Sequence, residues 1–244
     1  MRSRSWIRLP RAALSGAFFV LYGLLALPFA ILLPFPFVPK SWGRWGVRFF
    51  YRLFVLLARL TGLYTVRRVA ATKHSDDQTV ADSSRGRIIV MNHVSLIDIC
   101  VLLAHLPDAV CIAKAAAKRN PFLSAVVSKV FIANDKGGEV TLAEAKDYLD
   151  RGIHVVVFPQ GTRGGENLQR GAARLALAAG ADIQAFRIAY DPVVLAKGQP
   201  WWDVGDKIIG ITLEDRGLIP VEGPNDYHHA VALTRQIGAA IGVA

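Results

Sequence analysis

The sequence predicts an α/β fold: a mixed sheet flanked by helices, preceded by an N-terminal membrane-docking helical hairpin. Three observations predict it. After residue 86, short β-branched runs alternate with helix-periodic stretches, the signature of a sheet covered by helices. From Ala12 to Pro39 there is no charged residue. Twelve of the 29 cations precede the first acid, Asp76, which leaves 17 cations against 19 acids in the remainder. The net charge of +10 therefore belongs to the N-terminal third. The chain divides on this basis into a basic, apolar docking segment, 1–72, and an α/β domain, 73–244.

A basic segment seeks an anionic partner. Nucleic-acid-binding arms do not carry long uncharged apolar stretches, so no nucleic acid is expected. Membrane lipids fit, with cations at the headgroups and hydrocarbon between them. Only two cysteines occur, Cys100 and Cys111, each in an apolar run and neither in a Cys-x-x-Cys pair. They read as small buried hydrophobes of a reducing compartment.

The first element is "AALSGAFFVLYGLLALPFAILLPFPFV" (12–38). The run is too long for a signal peptide, and its cleavage-site pattern is weak. Pro28 arrives after about sixteen residues, short of the ~20 that a clean span needs, and Pro34, Pro36 and Pro39 follow. Prolines remove backbone donors and kink or end a helix. Arg4, Arg8 and Arg11 precede the run, and Lys40, Arg44 and Arg48 follow it. Both ends therefore prefer one side, the cytoplasmic face of the cell membrane. A helix that enters, turns at the prolines and returns satisfies this.

The return arm is "SWGRWGVRFFYRLFVLLARLTGLY" (41–64). Arg44, Arg48 and Arg52 recur every four residues and share a helical face. With Trp42 and Trp45 beside them they read as an interfacial anchor. The alternative is a helix packed on a soluble core with a charged outer face. Residues 73–86 are polar and turn-rich, a linker. Strands are then expected at 87–91, 110–113, 129–132, 154–158, 183–190 and 207–213. Helices are expected near 95–106, 120–128, 139–151, 167–180 and 225–240. No internal repeat or low-complexity tract occurs.

Chemistry first appears in "VMNHVSLIDIC" (90–100). Ser95 followed three residues later by Asp98 is a capping-box pattern. Capping alone does not explain His93, which leaves a strand just before a helix, a position that faces a cleft. The other reading makes His93 a general base and Asp98 its orienting carboxylate. A metal centre needs three or four ligands. His74, His105, His154, His228 and His229 are scattered, so no metal is expected. No Gly-x-Ser-x-Gly nucleophile elbow is present.

The second block is "HVVVFPQGTRGG" (154–165). A strand ends at Phe158, Pro159 stiffens the exit, and a glycine-bearing loop carries Arg163. Such a loop lets backbone N–H groups approach an anion that arginine can grip. It is equally a plain turn with a solvated arginine. Between the blocks lie "IAKAAAKRNPF" (112–122), with Lys114, and "KVFIANDKGG" (129–138).

The order of these pieces resembles the PlsC-like glycerolipid acyltransferases. The pieces are Asn-His-x4-Asp, Lys…Pro-Phe, a Phe-Ile strand, Phe-Pro-x-Gly-Thr-Arg, and the Gly-x-x-x-Leu-Ala helix of "QRGAARLALAAG" (169–180). The resemblance covers about 85–230. It implies that His93 removes the proton from an acceptor hydroxyl, which attacks the thioester of acyl-CoA or acyl carrier protein. Asp98 would orient His93. Asn92, Lys114, Gln160, Gly161, Thr162 and Arg163 would bind substrate, with Arg163 and the Gly161–Thr162 backbone holding a phosphate. No cofactor is implied beyond the acyl donor. The expected product is phosphatidate, from acylation of the sn-2 hydroxyl of lysophosphatidate. Two departures stand out. The family usually has Glu at Gln160 and Arg at Asn134; Lys136, Arg170 or Arg187 are the candidates to supply the missing cation. Two alternatives stay open: another lysolipid acceptor such as a lyso-ornithine lipid, or a non-catalytic membrane-binding module that retains the fold.

Overall fold

The computed structural model of the chain describes residues 5–32, 35, 37–70, 85–113, 130–134, 137–200 and 202–243. Two helices come first, α1 (Ser5–Leu32) and α2 (Lys40–Leu60), then strand β1 (Tyr64–Val69). The order continues β2 (Ile88–Met91), α3 (Asp98–His105), β3 (Ala109–Ala113), β4 (Phe131–Ala133), α4 (Gly138–Asp150) and β5 (His154–Val157). It ends α5 (Gly171–Ala179), β6 (Ile183–Asp191), β7 (Ile209–Ile219) and α6 (Tyr227–Ile241).

The strands form one seven-stranded sheet in the order β1-β7-β6-β2-β5-β3-β4. β6, β2, β5, β3 and β4 are mutually parallel; β7 is antiparallel to β6 and parallel to β1. The expected mixed α/β sheet is therefore present. Parallel strands deliver their C-terminal ends to one edge, where connecting loops build sites. The exits of β2, β5, β3 and β4 carry the four sequence blocks, so the topology aligns them.

All four residues of β2 are fully buried, because the sheet is covered on both faces. Ile88 and Val90 face a core shared with α4, α5 and α6. Ile89 and Met91 face the other core, shared with α2, α3 and Phe18 of α1. Entry to β2 requires glycine: a Cβ at Gly86 would lie 2.3 Å from the Ile153 carbonyl oxygen.

The helical pair is joined by aromatic packing. Tyr22 stacks on Phe50 at 4.2 Å between ring centroids, and Phe18 meets Phe54 at 5.2 Å. Pro28 does not end α1, which continues to Leu32. One proline deletes a single i→i−4 bond at about 3 kcal/mol, and a 28-residue helix with a packed aromatic face tolerates it.

The arginine row of α2 looks outward only in part: Arg44 is buried and Arg52 is exposed. Arg44 makes two hydrogen bonds to Asp108, at 2.8 and 2.9 Å. Arg52 donates through Nε to the Ala104 carbonyl, 3.1 Å away in the last turn of α3, where a cation meets the negative end of the helix. Trp42, Trp45, Phe49, Leu56 and Leu60 are exposed on α2 alongside Arg52 and Arg59.

One helix end and one strand end also differ. α2 stops at Leu60, not 64, because Gly62 at φ +69° turns the chain and Thr61 Oγ1 bonds the Ala58 carbonyl. The next six residues form β1, an edge strand whose Arg67 and Arg68 masked it in sequence. β7 runs on to Ile219, because β6 pairs with it as far as Ile183 and a register shift at Ala185/Phe186 accommodates the polar stretch 214–217. The linker over 73–84, the helix expected at 120–128, Lys114 and Lys136 lie outside the described residues.

Candidate active site

The chain leaves β2 at Met91, its last paired residue with β6 (Phe186). Asn92 then substitutes a side chain for the backbone ladder. Its Oδ1 accepts from Ile188 N at 2.7 Å and its Nδ2 donates to Ile188 O at 2.9 Å. The exit from β2 is thereby held against β6 while the backbone turns toward α3. This commits the Asn92 amide to the protein itself.

His93 follows. Its Nδ1 lies 2.8 Å from Asp98 Oδ2, and Asp98 is fully buried whereas His93 is 22% exposed. The same Oδ2 accepts from Val94 N at 2.6 Å and Ser95 N at 2.9 Å. Asp98 Oδ1 accepts from Tyr190 Oη at 2.6 Å. Both sequence readings of Asp98 are thus realised by one side chain. It ties down backbone amides ahead of α3, and it holds the imidazole. The capping box itself does not form: α3 begins at Asp98, Ile97 precedes it, and no side-chain cap bond is made at Ile97.

A carboxylate accepts and cannot donate. Nδ1 of His93 therefore carries the proton, and Nε2 is left as the basic nitrogen. The Phe158 ring sits 4.5 Å from the imidazole and restricts its rotation. Burial, with the Asp98 charge adding to it, pushes the Tyr190 phenol well above its usual range, so it remains a donor. Burial also raises the Cys100 thiol to about 12, with Asp98 again adding, and burial raises Cys111 to about 12. Neither thiol is a nucleophile at neutral pH.

The loop after β5 packs directly on the first. Gln160, 9% exposed, accepts through Oε1 from His93 N and donates through Nε2 to Gly165 O. Gly164 N donates to His93 O at 2.8 Å. Gly161 and Gly164 both have φ +66°, the left-handed region that glycine tolerates. Gly161 N bonds Phe158 O at 3.0 Å, so that amide closes a turn and does not face a ligand. Thr162 is exposed. Arg163 is half-buried and anchored by Nη1 to Leu195 O at 2.8 Å. Leu195 has φ +55°, and its carbonyl also accepts from Leu96 N at 3.1 Å.

Leu96 and Leu195 form one side of an apolar groove of about 500 Å³. α1 forms the other side, with Gly16, Val20, Gly23 and Leu27 along one helical stripe. The groove thus begins three residues from His93. Sequence reading missed this wall, as it missed Tyr190, which lies 92 positions from its partner Asp98. No local spacing signals either one.

Asn134 is exposed at the exit of β4, its N–H bonded to Ala113 O at 3.1 Å. β4 stands three strands from β2, roughly 14 Å at ~4.8 Å per strand. Two of the cations considered as substitutes lie elsewhere. Arg170 stacks over the Tyr227 ring at 4.7 Å. Arg187 packs against the end of α6, where a Cβ on Gly242 would meet its Nε at 3.0 Å. Both belong to the sheet face opposite Asp98 and Tyr190. Among the described residues, no group of three or more His, Cys, Asp or Glu is placed to hold a metal ion.

Residues 71–189 match the family described as Acyltransferase. A 1-acyl-sn-glycerol-3-phosphate acyltransferase from Helicobacter pylori strain J99 is 37% identical over 118 residues, 45% of this chain and 48% of that protein. The matched stretch spans about half the length of that curated relative. The crystal structure of the 1-acyl-sn-glycerophosphate acyltransferase PlsC from Thermotoga maritima superposes with a TM-score of 0.64. It covers 95% of this chain and 94% of that one at 16% identity, a likeness of fold.

Proposed function

With an acyltransferase-family domain at residues 71–189 as the premise, we infer that the protein is a membrane-associated O-acyltransferase that converts lysophosphatidate to phosphatidate. One observation carries the reading: the loop that joins His93 to Asp98 carries Leu96, which lines a groove whose other walls are apolar side chains and glycine. A base beside a hydrocarbon-sized cleft suits transfer of a fatty acyl group to a hydroxyl.

In this reading His93 Nε2 takes the proton of the sn-2 hydroxyl as its oxygen attacks the thioester carbonyl. The tetrahedral intermediate collapses, the carbon–sulfur bond breaks, and the imidazolium returns its proton to the leaving thiolate. Asp98 stabilises the imidazolium meanwhile. The acyl chain occupies the groove between α1 and Leu96–Leu195. Arg163, held through Nη1 at Leu195, attracts the acceptor's phosphate, with Lys114 as its second cation. The donor is acyl-CoA or acyl carrier protein, and no other cofactor takes part.

Membrane association follows from α1. Arg8–Pro28 is long and apolar enough to cross a bilayer, and Leu21, Leu25 and Ile31 of the same helix are exposed away from the groove. Trp42 and Trp45 at the start of α2 suit the headgroup level. Basic residues on both sides of the apolar run support docking from the cytoplasmic face.

A second acceptor has a specific observation behind it. Arg170 and Arg187 are engaged on the far face of the sheet, and Asn134 brings no charge. A thinner phosphate cradle favours a lysolipid without a phosphate monoester, such as a lyso-ornithine lipid. A non-catalytic module has less support, because the imidazole and carboxylate retain hydrogen-bond geometry. The test is purified protein with labelled acyl-CoA or acyl carrier protein and a panel of lysolipids. Phosphatidate from lysophosphatidate is expected. Absence of transfer to every lysolipid from either donor refutes the enzymatic reading.

A further inference from the structure

We propose that Tyr190 is a positioning residue of the active site, the outer member of a buried chain Tyr190–Asp98–His93; the inference rests on the acyl-transfer reading above. The two oxygens of Asp98 have different duties. Oδ2 receives three donors, from His93 Nδ1, Val94 N and Ser95 N. Oδ1 receives one, the Tyr190 hydroxyl at 2.6 Å. That distance is in the range of an O–H···O⁻ bond, the stronger, charge-assisted kind.

Oδ1 belongs to a fully buried carboxylate and needs a partner of its own, which Tyr190 supplies. Without that hydroxyl, Oδ1 would be drawn toward another donor, turning χ2 and shifting Oδ2 from Nδ1. The Tyr190 bond removes that alternative and so sets the line from Oδ2 to Nδ1. Tyr190 can do this because its own position is set independently. It lies two residues beyond Ile188 on the same face of β6, and Asn92 grips both polar backbone atoms of Ile188. Asn92, Asp98 and Tyr190 therefore tie the exit of β2 to β6 from both ends of the loop that carries His93. Burial keeps the phenol protonated, so the bond persists at neutral pH.

Tyr190→Phe removes the hydroxyl and keeps the ring. Loss of alignment should lower kcat about tenfold while KM for donor and acceptor stays within about twofold. In an Asp98→Ala background the same change should have little further effect on kcat, because the chain is already interrupted. The second readout needs no turnover. In protein labelled with ¹⁵N-histidine, the His93 Nδ1 proton resonance should move between wild type and Tyr190→Phe. A turnover within twofold of wild type, or an equal loss in both backgrounds, overturns the proposal. So does an unmoved resonance. Absence of transfer by wild type with any lysolipid would instead count against the acyl-transfer reading, and the resonance would still decide the role of Tyr190.

Discussion

Asp98→Asn separates the two duties of Asp98. In the structure Oδ2 serves three donors and Oδ1 serves one. An asparagine can keep its oxygen toward His93, Val94 and Ser95. Its amide nitrogen then faces Tyr190, whose hydroxyl turns from donor to acceptor. The fold should survive with little change in melting temperature. What disappears is the charge opposite the imidazolium. For unit charges about 4 Å apart at an effective dielectric of ~20, that attraction is about 4 kcal/mol, up to roughly a thousandfold in rate. The expected fall in kcat is about 10²–10³-fold. Asp98→Ala should instead strike both duties, because it strands buried donors at about 1–3 kcal/mol each. Turnover with labelled acyl donor at saturation and thermal denaturation in detergent give the two axes. An Asp98→Asn enzyme with more than a tenth of wild-type turnover refutes the catalytic half of the argument. An Asp98→Ala protein as stable as wild type refutes the structural half.

Gly23→Leu should shorten the groove, since a Cβ there meets nothing within 4 Å and a longer side chain projects into the open space. Preference should shift toward shorter acyl donors by about tenfold in kcat/KM, about 1.4 kcal/mol; an unchanged chain-length profile shows that the acyl chain lies elsewhere. Asn134→Arg should lower KM for a phosphate-monoester lysolipid by roughly ten- to a hundredfold if the cradle extends to β4, the effect of a charge-assisted contact of ~1.5–3 kcal/mol. Unchanged lysophosphatidate kinetics would show that the cradle does not extend to β4. Cysteines replacing Leu9 and Ser41 should both react with a membrane-impermeant reagent only from the cytoplasmic side. Labelling of one from each side would establish a span.

Most of the α/β domain was legible because its strands are short apolar runs between helix-periodic stretches. β2 is an example: "IIVM" is buried on both faces, and its pattern admits little else. The His93–Asp98 pairing was legible because both residues lie in one turn of chain. β1 was not, since an edge strand needs only a few apolar residues and Tyr64–Val69 carries two arginines. Its partner, β7, lies some 145 residues away. The arginine row of α2 misled for a related reason. Periodicity places Arg44 and Arg52 on a shared face, but only the tertiary structure shows that Asp108 and the C-terminal end of α3 lie opposite. Tyr190 and the groove are likewise long-range products of β6 and α1.

The two departures from the family pattern now have different meanings. Gln160 sits between an amide that must donate, His93 N, and a carbonyl that must accept, Gly165 O. Only a side chain with both an acceptor and a donor satisfies the pair. A glutamate there would serve His93 but set a carboxylate against the Gly165 carbonyl in a site that is nearly closed to water, a costly arrangement. Gln160 is therefore accounted for by how this chain joins its two loops. Asn134 has no such account. It is exposed, its side chain has no hydrogen bond among the described residues, and it stands at the sheet edge where the other blocks converge. In the proposed reading, the choice between a phosphate and another head turns on that position, together with Arg163 and Lys114.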